Sequence, residues 1–323
     1  MRFISKAALS AALVFALNAQ LSAQDYPNRP IRVVTSQGAG GISDIFIRAL
    51  GEEMHKALGQ PFVIENRTGA NGNIGARACA DAPNDGYTIC ILPSEPLTYN
   101  HLIMKGTGFD PETGLTPITN FFFITQVLAA SSSLNVKTLS ELAAVSKAKP
   151  GTLSYTTPGM ATSVFMENFY RENGADLVRV PFKGGGDAIT RMLNGTVPVG
   201  FFGLANFIPY LQNGSLVGLA VDTDSRSAMF PNIPTLREQK YTGPLTVGYF
   251  GLLAPAGTPK PIVDKLYSTI HKVASEPTFK AKNMVDRGHE PILNTPEQFA
   301  DFLKKDRQTA REVVKAAGVE APK

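Results

Sequence analysis

One order of elements repeats along this chain: a β-branched or apolar run, then a turn rich in glycine, then apolar side chains at helical spacing. The first unit has a strand at residues 31–35, a turn at 36–41 and a helix at 42–58, and residues 62–92 repeat the pattern. Such alternation predicts an α/β protein with a mostly parallel sheet, whose strands carry ligand-binding loops at their carboxyl ends.

Two long apolar runs divide the chain. Residues 116–130 form a run long enough to pass from one domain to another, and residues 247–254 form a run that can return the chain. A chain of 323 residues also exceeds what one hydrophobic core usually serves. We therefore predict two α/β lobes joined by two crossover strands, with a ligand cleft between them. The predicted bounds are 24–124 with 250–323 for lobe 1, and 125–249 for lobe 2.

The N-terminus indicates export. Arg2 and Lys6 precede an apolar run at residues 7–17, and small residues at 21–23 suit a signal peptidase. Residues 1–23 are therefore predicted to be a cleaved signal peptide, which places the mature protein in the periplasm. No later segment approaches the run of about 20 apolar residues that crosses a bilayer, so membrane insertion is not expected.

Charge and motif patterns disfavour nucleic-acid binding and catalysis. The 31 basic residues, two of them in the signal, nearly balance 27 acidic ones, which gives no basic surface for nucleic acid. The four histidines have no metal-site spacing, and no G-x-S-x-G sequence occurs. The turn at 38–43 ends in Ser43 where a dinucleotide fingerprint has glycine. We expect no cofactor and no enzyme; an exported hydrolase or oxidoreductase is the less favoured alternative.

Three turns lead into predicted helices and share the chemistry of anion binding. They lie at residues 36–44, 156–163 and 183–187, and they combine glycine with hydroxyl side chains or Lys183. The first N–H groups of a helix face an anion with the positive end of the dipole. Ordinary loop and capping chemistry is the alternative for each turn taken alone. Together, on both lobes, they predict a carboxylate site in the cleft.

The two cysteines, Cys79 and Cys90, are 11 positions apart in an exported chain. They form a disulfide in one interpretation and remain two small buried side chains in the other, and sequence leaves both open.

Six ordered motifs resemble a known family. They include Gly40-Gly41-x-x-Asp44, Glu65-Asn66-Arg67 before Gly72-Asn73-Ile74-Gly75, and the run from Phe250 to Pro259. The mature chain resembles, nearly end to end, the Bug-type receptors of tripartite tricarboxylate transporters. The resemblance implies a type II periplasmic binding protein fold that closes on a carboxylate. It also implies delivery to integral-membrane transporter subunits, or in some members to a signalling protein.

The sequence departs from that family around the predicted cleft. Phe202-Gly203 stands where members often have Asp-Asn, Asn206 replaces a commoner serine, and Tyr249 a frequent tryptophan. The rings of Phe202 and Tyr249 favour an aromatic ligand, because aromatic side chains stack on rings. The alternative is that these rings belong to the core. We predict a monomer that binds an aromatic dicarboxylate resembling terephthalate. The predicted ligand-binding residues are Ser36, Gln37, Gly38, Ala39, Gly40, Gly41, Asp44, Ser94, Thr157, Thr162, Ser163, Lys183, Gly184, Phe202, Gly203, Asn206 and Tyr249.

Overall fold

The computed structural model describes residues 26–157, 160–182, 185–243, 245, 247–316 and 318. The predicted signal peptide lies outside the described residues. In chain order the strands are β1 (Ile31–Thr35), β2 (Phe62–Asn66), β3 (Thr88–Pro93), β4 (Leu115–Ile124), β5 (Gln126–Ser131), β6 (Leu153–Thr156), β7 (Leu177–Arg179), β8 (Val199–Gly203), β9 (Leu216–Val221), β10 (Gly248–Pro255) and β11 (His289–Pro291).

The helices follow the strands as the repeated sequence pattern predicts. In chain order they are α1 (Ile42–Leu58), α2 (Asn73–Ala80), α3 (Asn100–Ile103), α4 (Leu139–Ala148), α5 (Met160–Asn173), α6 (Gly185–Leu193), α7 (Ile208–Gln212), α8 (Lys260–Ala274), α9 (Pro277–Asn283) and α10 (Pro296–Ala316). Helix α1 ends at Gly59, whose left-handed φ of 72° lets its N–H return to the His55 carbonyl. A proline lies in the first turn of α8 and of α9, where its missing N–H is not needed.

The first sheet has the strand order β11-β4-β10-β3-β1-β2. Strand β1 pairs in parallel with β2 and β3, whereas β10 and β4 run antiparallel to their neighbours. Its core is a cluster of aliphatic and aromatic side chains between the sheet and helices α1 and α8. The short edge strand β11 lies between α9 and α10, where the sequence predicted no strand.

The second sheet has the order β7-β6-β8-β5-β9. Strand β6 is parallel to β7 and β8, and β5 is antiparallel to β8 and β9. A separate apolar cluster packs between this sheet and helices α4 and α5. Two sheets with separate cores confirm the predicted two-lobed α/β class.

The chain passes from the first sheet to the second within residues 116–130, the apolar run that was predicted to cross between lobes. The run at 116–130 is not one strand: β4 ends at Ile124 in the first sheet, and β5 begins at Gln126 in the second. Thr125 alone separates them. Asp222 directly follows β9, and its N–H donates to the Gln126 carbonyl at 3.1 Å, so the end of β9 is tied to the start of β5 beside this crossing. The chain re-enters the first sheet at β10, whose first residue Gly248 pairs with Ile124.

A disulfide joins Cys79 in α2 to Cys90 in β3, with a Cα–Cα distance of 6.1 Å. Both cysteines are fully buried. Of the two interpretations left open by the sequence, the structure supports the bonded one. Helices that are long and apolar enough to cross a membrane do not occur in the described part of the chain.

Candidate ligand-binding cleft

The loop after β1 is held by a side chain within it. The Gln37 amide oxygen accepts hydrogen bonds from the Ser43 N–H at 2.9 Å and from its hydroxyl at 3.0 Å. Gln37 thus caps the start of α1 from outside the helix, since the N-cap residue Gly41 has no side chain to do so. The group that holds this end of the loop, the Gln37 amide, is therefore neutral.

Asp44 stabilises the same loop through hydrogen bonds to its carboxylate. Its carboxylate accepts the Gly40 N–H at 2.9 Å, the Asn66 amide at 2.8 Å and the Arg48 guanidinium at 3.0 Å. The hydrogen bond from Arg48, with those from Gly40 and Asn66, lowers the pKa of Asp44 to about 2. Since these loop groups occupy both carboxylate oxygens, the structure gives Asp44 a role in positioning the loop.

A cavity of about 320 Å³ lies beneath this loop. Its polar lining comes from three loops that meet at the carboxyl ends of β1, β2 and β3: Ser36, Gln37, Gly69, Asn71, Gly72 and Glu95. Ile42, Pro93, Ile124 and Phe250 form the apolar part. Ser36 is 7% exposed, and its hydroxyl has no hydrogen-bond partner among the described residues. A buried hydroxyl without a partner is costly unless a ligand or water satisfies it.

The second loop of the cavity is held by asparagines. Asn71 donates to the Asn100 side-chain oxygen at 2.8 Å, and the Asn100 amide donates to the Asn71 carbonyl at 2.9 Å and to Asn73 at 2.8 Å. The backbone turns through positive φ from Gly69 to Gly72, which requires glycine at both ends. Sequence analysis did not assign Asn71 or Gly72 to the site.

Gly75 allows the first two loops to touch. A Cβ at this position would lie 2.9 Å from the Ser36 Cα and 3.0 Å from the Arg67 carbonyl oxygen. Those are backbone atoms, which cannot move aside cheaply. The glycine of the motif Gly72-Asn73-Ile74-Gly75 therefore positions Ser36 through close packing of α2.

A second cavity of about 300 Å³ lies on the other side of Ile42. Gly40, Ile45 and Phe46 line it from the first lobe, and Ala205 and Ile208 line it from the second. A Cβ at Gly203 would lie 3.3 Å from the Ile124 side chain, so the turn after β8 packs against the end of β4. The glycine loop therefore faces a gap between the two lobes.

The turn after β6 is bonded internally. Thr157 donates to the Phe201 carbonyl at 3.0 Å and contacts the Thr162 hydroxyl. Thr157, Thr162 and Ser163 are each at most 5% exposed. The structure thus brings these three predicted residues together beside β8. Lys183 and Gly184, also predicted, lie outside the described residues, as do positions 158 and 159.

A protein-family model described as "Tripartite tricarboxylate transporter family receptor" matches residues 46–319. This chain belongs to that family. BugT of Bordetella pertussis (strain Tohama I) is 30% identical over 303 residues, which cover 93% of each protein.

Two solved structures show that the similarity includes the fold. R. palustris Rpa4515 with adipate is 29% identical, has a TM-score of 0.81, and aligns over 93% of this chain and 100% of its own. The periplasmic binding protein BugD is 30% identical, with a TM-score of 0.76 over 91% and 99% of the two chains. These relatives confirm a type II periplasmic binding fold and a Bug-type receptor, which binds solute and is not an enzyme.

Two aromatic residues predicted to contact ligand are instead in the receptor's core. Phe202 is 4% exposed and packs against the rings of Phe182 and Phe207, at 5.4 and 5.7 Å between centroids. Tyr249 is fully buried. Strands β8 and β10 are covered on both faces, so their rings fill the interior. Both rings are therefore buried in this structure, and ligand contact by Phe202 and Tyr249 stays a prediction.

The remaining predicted residues take different positions. Asn206 is exposed and donates to the Gly203 carbonyl at 3.1 Å, which stabilises the turn after β8. Ser94 is 5% exposed, and its hydroxyl donates to Glu95 at 3.4 Å. Ser94 was among the predicted site residues, whereas Glu95, which lines the cavity, was not.

Replacement of Tyr249 by Phe should destabilise the receptor without weakening ligand binding. Thr98 donates to Asp306 at 2.8 Å, so the Tyr249 hydroxyl, 2.9 Å away, donates to Thr98. Losing this buried donor should lower the free energy of unfolding by about 1–3 kcal/mol in urea titrations. Tyr267→Phe, on the partly exposed face of α8, is the matched control. A fall in ligand affinity at unchanged stability would return Tyr249 to the site.

Proposed function

We propose that this chain is a periplasmic solute-binding protein that captures a small dicarboxylate and delivers it to tripartite-type transporter subunits in the membrane. Residues 1–23 direct export, and the protein acts as a monomer. The lobes that close on the ligand are residues 24–124 with 250–323, and 125–249. Family membership supports this role, because its members are receptors of tripartite tricarboxylate transporters.

The unpartnered Ser36 hydroxyl carries the assignment of the site. It lines the cavity beside the fixed Gln37 loop, and the start of α1 adds the positive end of a helix dipole. Hydroxyl and backbone N–H groups hold a carboxylate by charge-assisted hydrogen bonds without a cationic partner. Closure of the lobes over these donors excludes water and strengthens the bonds.

The ligand is a dicarboxylate with an apolar spacer. Ile42, Pro93 and Ile124 form a wall that suits a methylene chain or a flat ring better than a hydroxylated chain. Rpa4515, a relative, was solved with adipate, which has such a spacer. Terephthalate has the same arrangement with a ring between its carboxylates, although the buried position of Phe202 and Tyr249 removes the stacking argument for it. Calorimetric titration with adipate, terephthalate and citrate tests the proposal: the first two should bind tightly and citrate weakly. No binding by any of the three would refute it.

Ser36→Ala should weaken binding while leaving the free receptor at least as stable. The hydroxyl has no partner to lose among the described residues, so its removal costs no internal hydrogen bond. The dissociation constant for the bound dicarboxylate should rise about 5–30-fold, or about 1–2 kcal/mol. Ser268→Ala, an exposed serine on α8, serves as the control. Equal affinities in Ser36→Ala and the unmodified receptor would remove Ser36 from the site.

A further inference from the structure

The cavity proposed to hold an organic anion contains an acid. Glu95 begins the short helix Glu95–Tyr99 that follows β3, and it lines the cavity with Ser36 and Gln37. The other described residues of the lining carry no ionisable side chain. An ionised Glu95 would repel a carboxylate ligand across a pocket partly screened from water.

Glu95 has no basic partner among the described residues. Within the described part of the chain, its carboxyl group accepts from the Ser94 hydroxyl at 3.4 Å and from its own backbone N–H. The helix Glu95–Tyr99 packs against β3, the turn Ala70–Gly72, α3 and α10. Tyr99 and His101 are titratable groups on or next to this helix, and Tyr249, Asp306 and Arg307 bond to it: the Tyr249 hydroxyl and Asp306 bond to Thr98, and Arg307 donates to the Leu97 carbonyl. Helix α10 also carries other charged residues, among them Asp301, Lys304, Lys305, Arg311 and Glu312. Burial, with no cation to oppose it, raises the pKa of Glu95 above its usual value.

We propose that Glu95 is a specificity-determining residue that binds in its protonated form, donating a hydrogen bond to a carboxylate oxygen of the ligand. This inference rests on the proposed function. A hydrogen bond from a carboxylic acid to a carboxylate is short and strong, and the two groups then share one proton. The pocket thereby holds an anion with neutral donors alone: the Ser36 hydroxyl, the loop N–H groups and the Glu95 acid.

When the ligand binds, Glu95 should therefore take up a proton. The ligand's charge raises the pKa of Glu95 further, so the bound receptor keeps its proton to higher pH than the free one. Affinity is greatest below the pKa of the free group. Between the free and bound pKa values it falls by about tenfold per pH unit.

Glu95→Gln separates this role from a purely structural one. Glutamine has the same shape, donates a hydrogen bond and does not titrate. Titrating adipate into both proteins from pH 5 to 8, in buffers of different ionisation enthalpy, measures affinity and proton uptake together. We expect the unmodified receptor to take up a proton, in an amount that rises with pH above the pKa of free Glu95, and Glu95→Gln to take up none through this position. Above that pKa the variant should bind more tightly than the unmodified receptor, and the difference should grow with pH.

The outcomes distinguish this inference from the function on which it rests. Glu312→Gln, an exposed acid on α10, should behave like the unmodified receptor. If terephthalate, citrate and adipate all fail to bind the unmodified receptor, the proposed function itself is wrong. If adipate binds with no proton uptake, or if the folded Glu95→Gln variant loses binding, the function stands and the role of Glu95 is refuted.

Discussion

Asp222→Asn should make the receptor more stable, by a margin that grows with pH. Asp222 is 2% exposed at the junction of the lobes; one carboxylate oxygen accepts the Gln126 N–H at 2.7 Å, and the other has no partner among the described residues. Burial raises its pKa to about 8, against an unfolded value of about 3.9. Between those values the folded protein holds a proton that the unfolded chain has lost.

The sign of the effect follows from this difference in proton binding. The folded pKa is the higher one, so the stability contributed by the neutral acid is complete below about pH 4 and is lost as pH rises towards 8. Asparagine keeps the shape and the oxygen that accepts the Gln126 N–H, but it does not ionise. In urea titrations the advantage of the variant should grow by about 1 kcal/mol per pH unit between pH 5 and 8.

A neighbouring acid provides the control for Asp222. Asp224→Asn removes an exposed carboxylate two positions along the chain and should show no such pH-dependent gain. Asp306, whose pKa is raised by burial to about 6, is present in both proteins and cancels in the difference. If the difference in the free energy of unfolding between Asp222→Asn and the unmodified receptor stays constant from pH 5 to 8, Asp222 is already ionised in the folded protein.

The position of Asp222 links this stability effect to closure. Its carboxylate and its backbone N–H both bond to Gln126, the first residue after the crossing at Thr125. Lobe rotation bends the chain at such element ends. The neutral acid thus ties the end of β9 to the start of β5, beside the crossing at Thr125, without placing a charge there.

Periodic patterns predicted much of this fold. The strand–turn–helix order of residues 31–92 and the apolar run at 116–130 depend on local alternation and composition, which a sequence displays directly. The break at Thr125 was not predicted, because the apolar residues 121–124 and 127–130 form one run in the sequence that only Thr125 and Gln126 interrupt. Strand β11 was missed because His289, Glu290 and Pro291 have no strand signature; pairing with β4 forms it.

The site was harder to predict than the fold. The glycine loop at 36–41 has a local signature, and the structure places it at the cleft. Phe202 and Tyr249 were predicted to contact the ligand, but a ring suits a core and a pocket equally well, and only the packing of both sheet faces shows that the two rings are buried. No sequence pattern marked Glu95 as a site residue, since a single acid after a strand resembles any surface residue. Only the structure shows that it is the ionisable residue among the described residues that line the cavity.

Removing the disulfide should cause a large loss of stability. The bond closes a loop between positions 11 apart and joins α2 to β3, so it restricts the unfolded chain more than the folded one. For Cys79→Ala with Cys90→Ala, the free energy of unfolding in urea should fall by about 2–4 kcal/mol. Both sulfurs are fully buried, so part of the loss comes from the small void that alanine leaves.

Reduction separates the effect of the bond from that of the void. Cys79 and Cys90 are the only cysteines in the sequence, so dithiothreitol added to the unfolded protein should lower the stability of the unmodified receptor and leave the double alanine variant unchanged. Helix α2 also carries Gly75, which packs on Ser36, so the bond anchors one wall of the cavity through that contact. Equal stability of reduced and oxidised receptor would show that packing of α2 against the sheet, and not the covalent link, holds that wall.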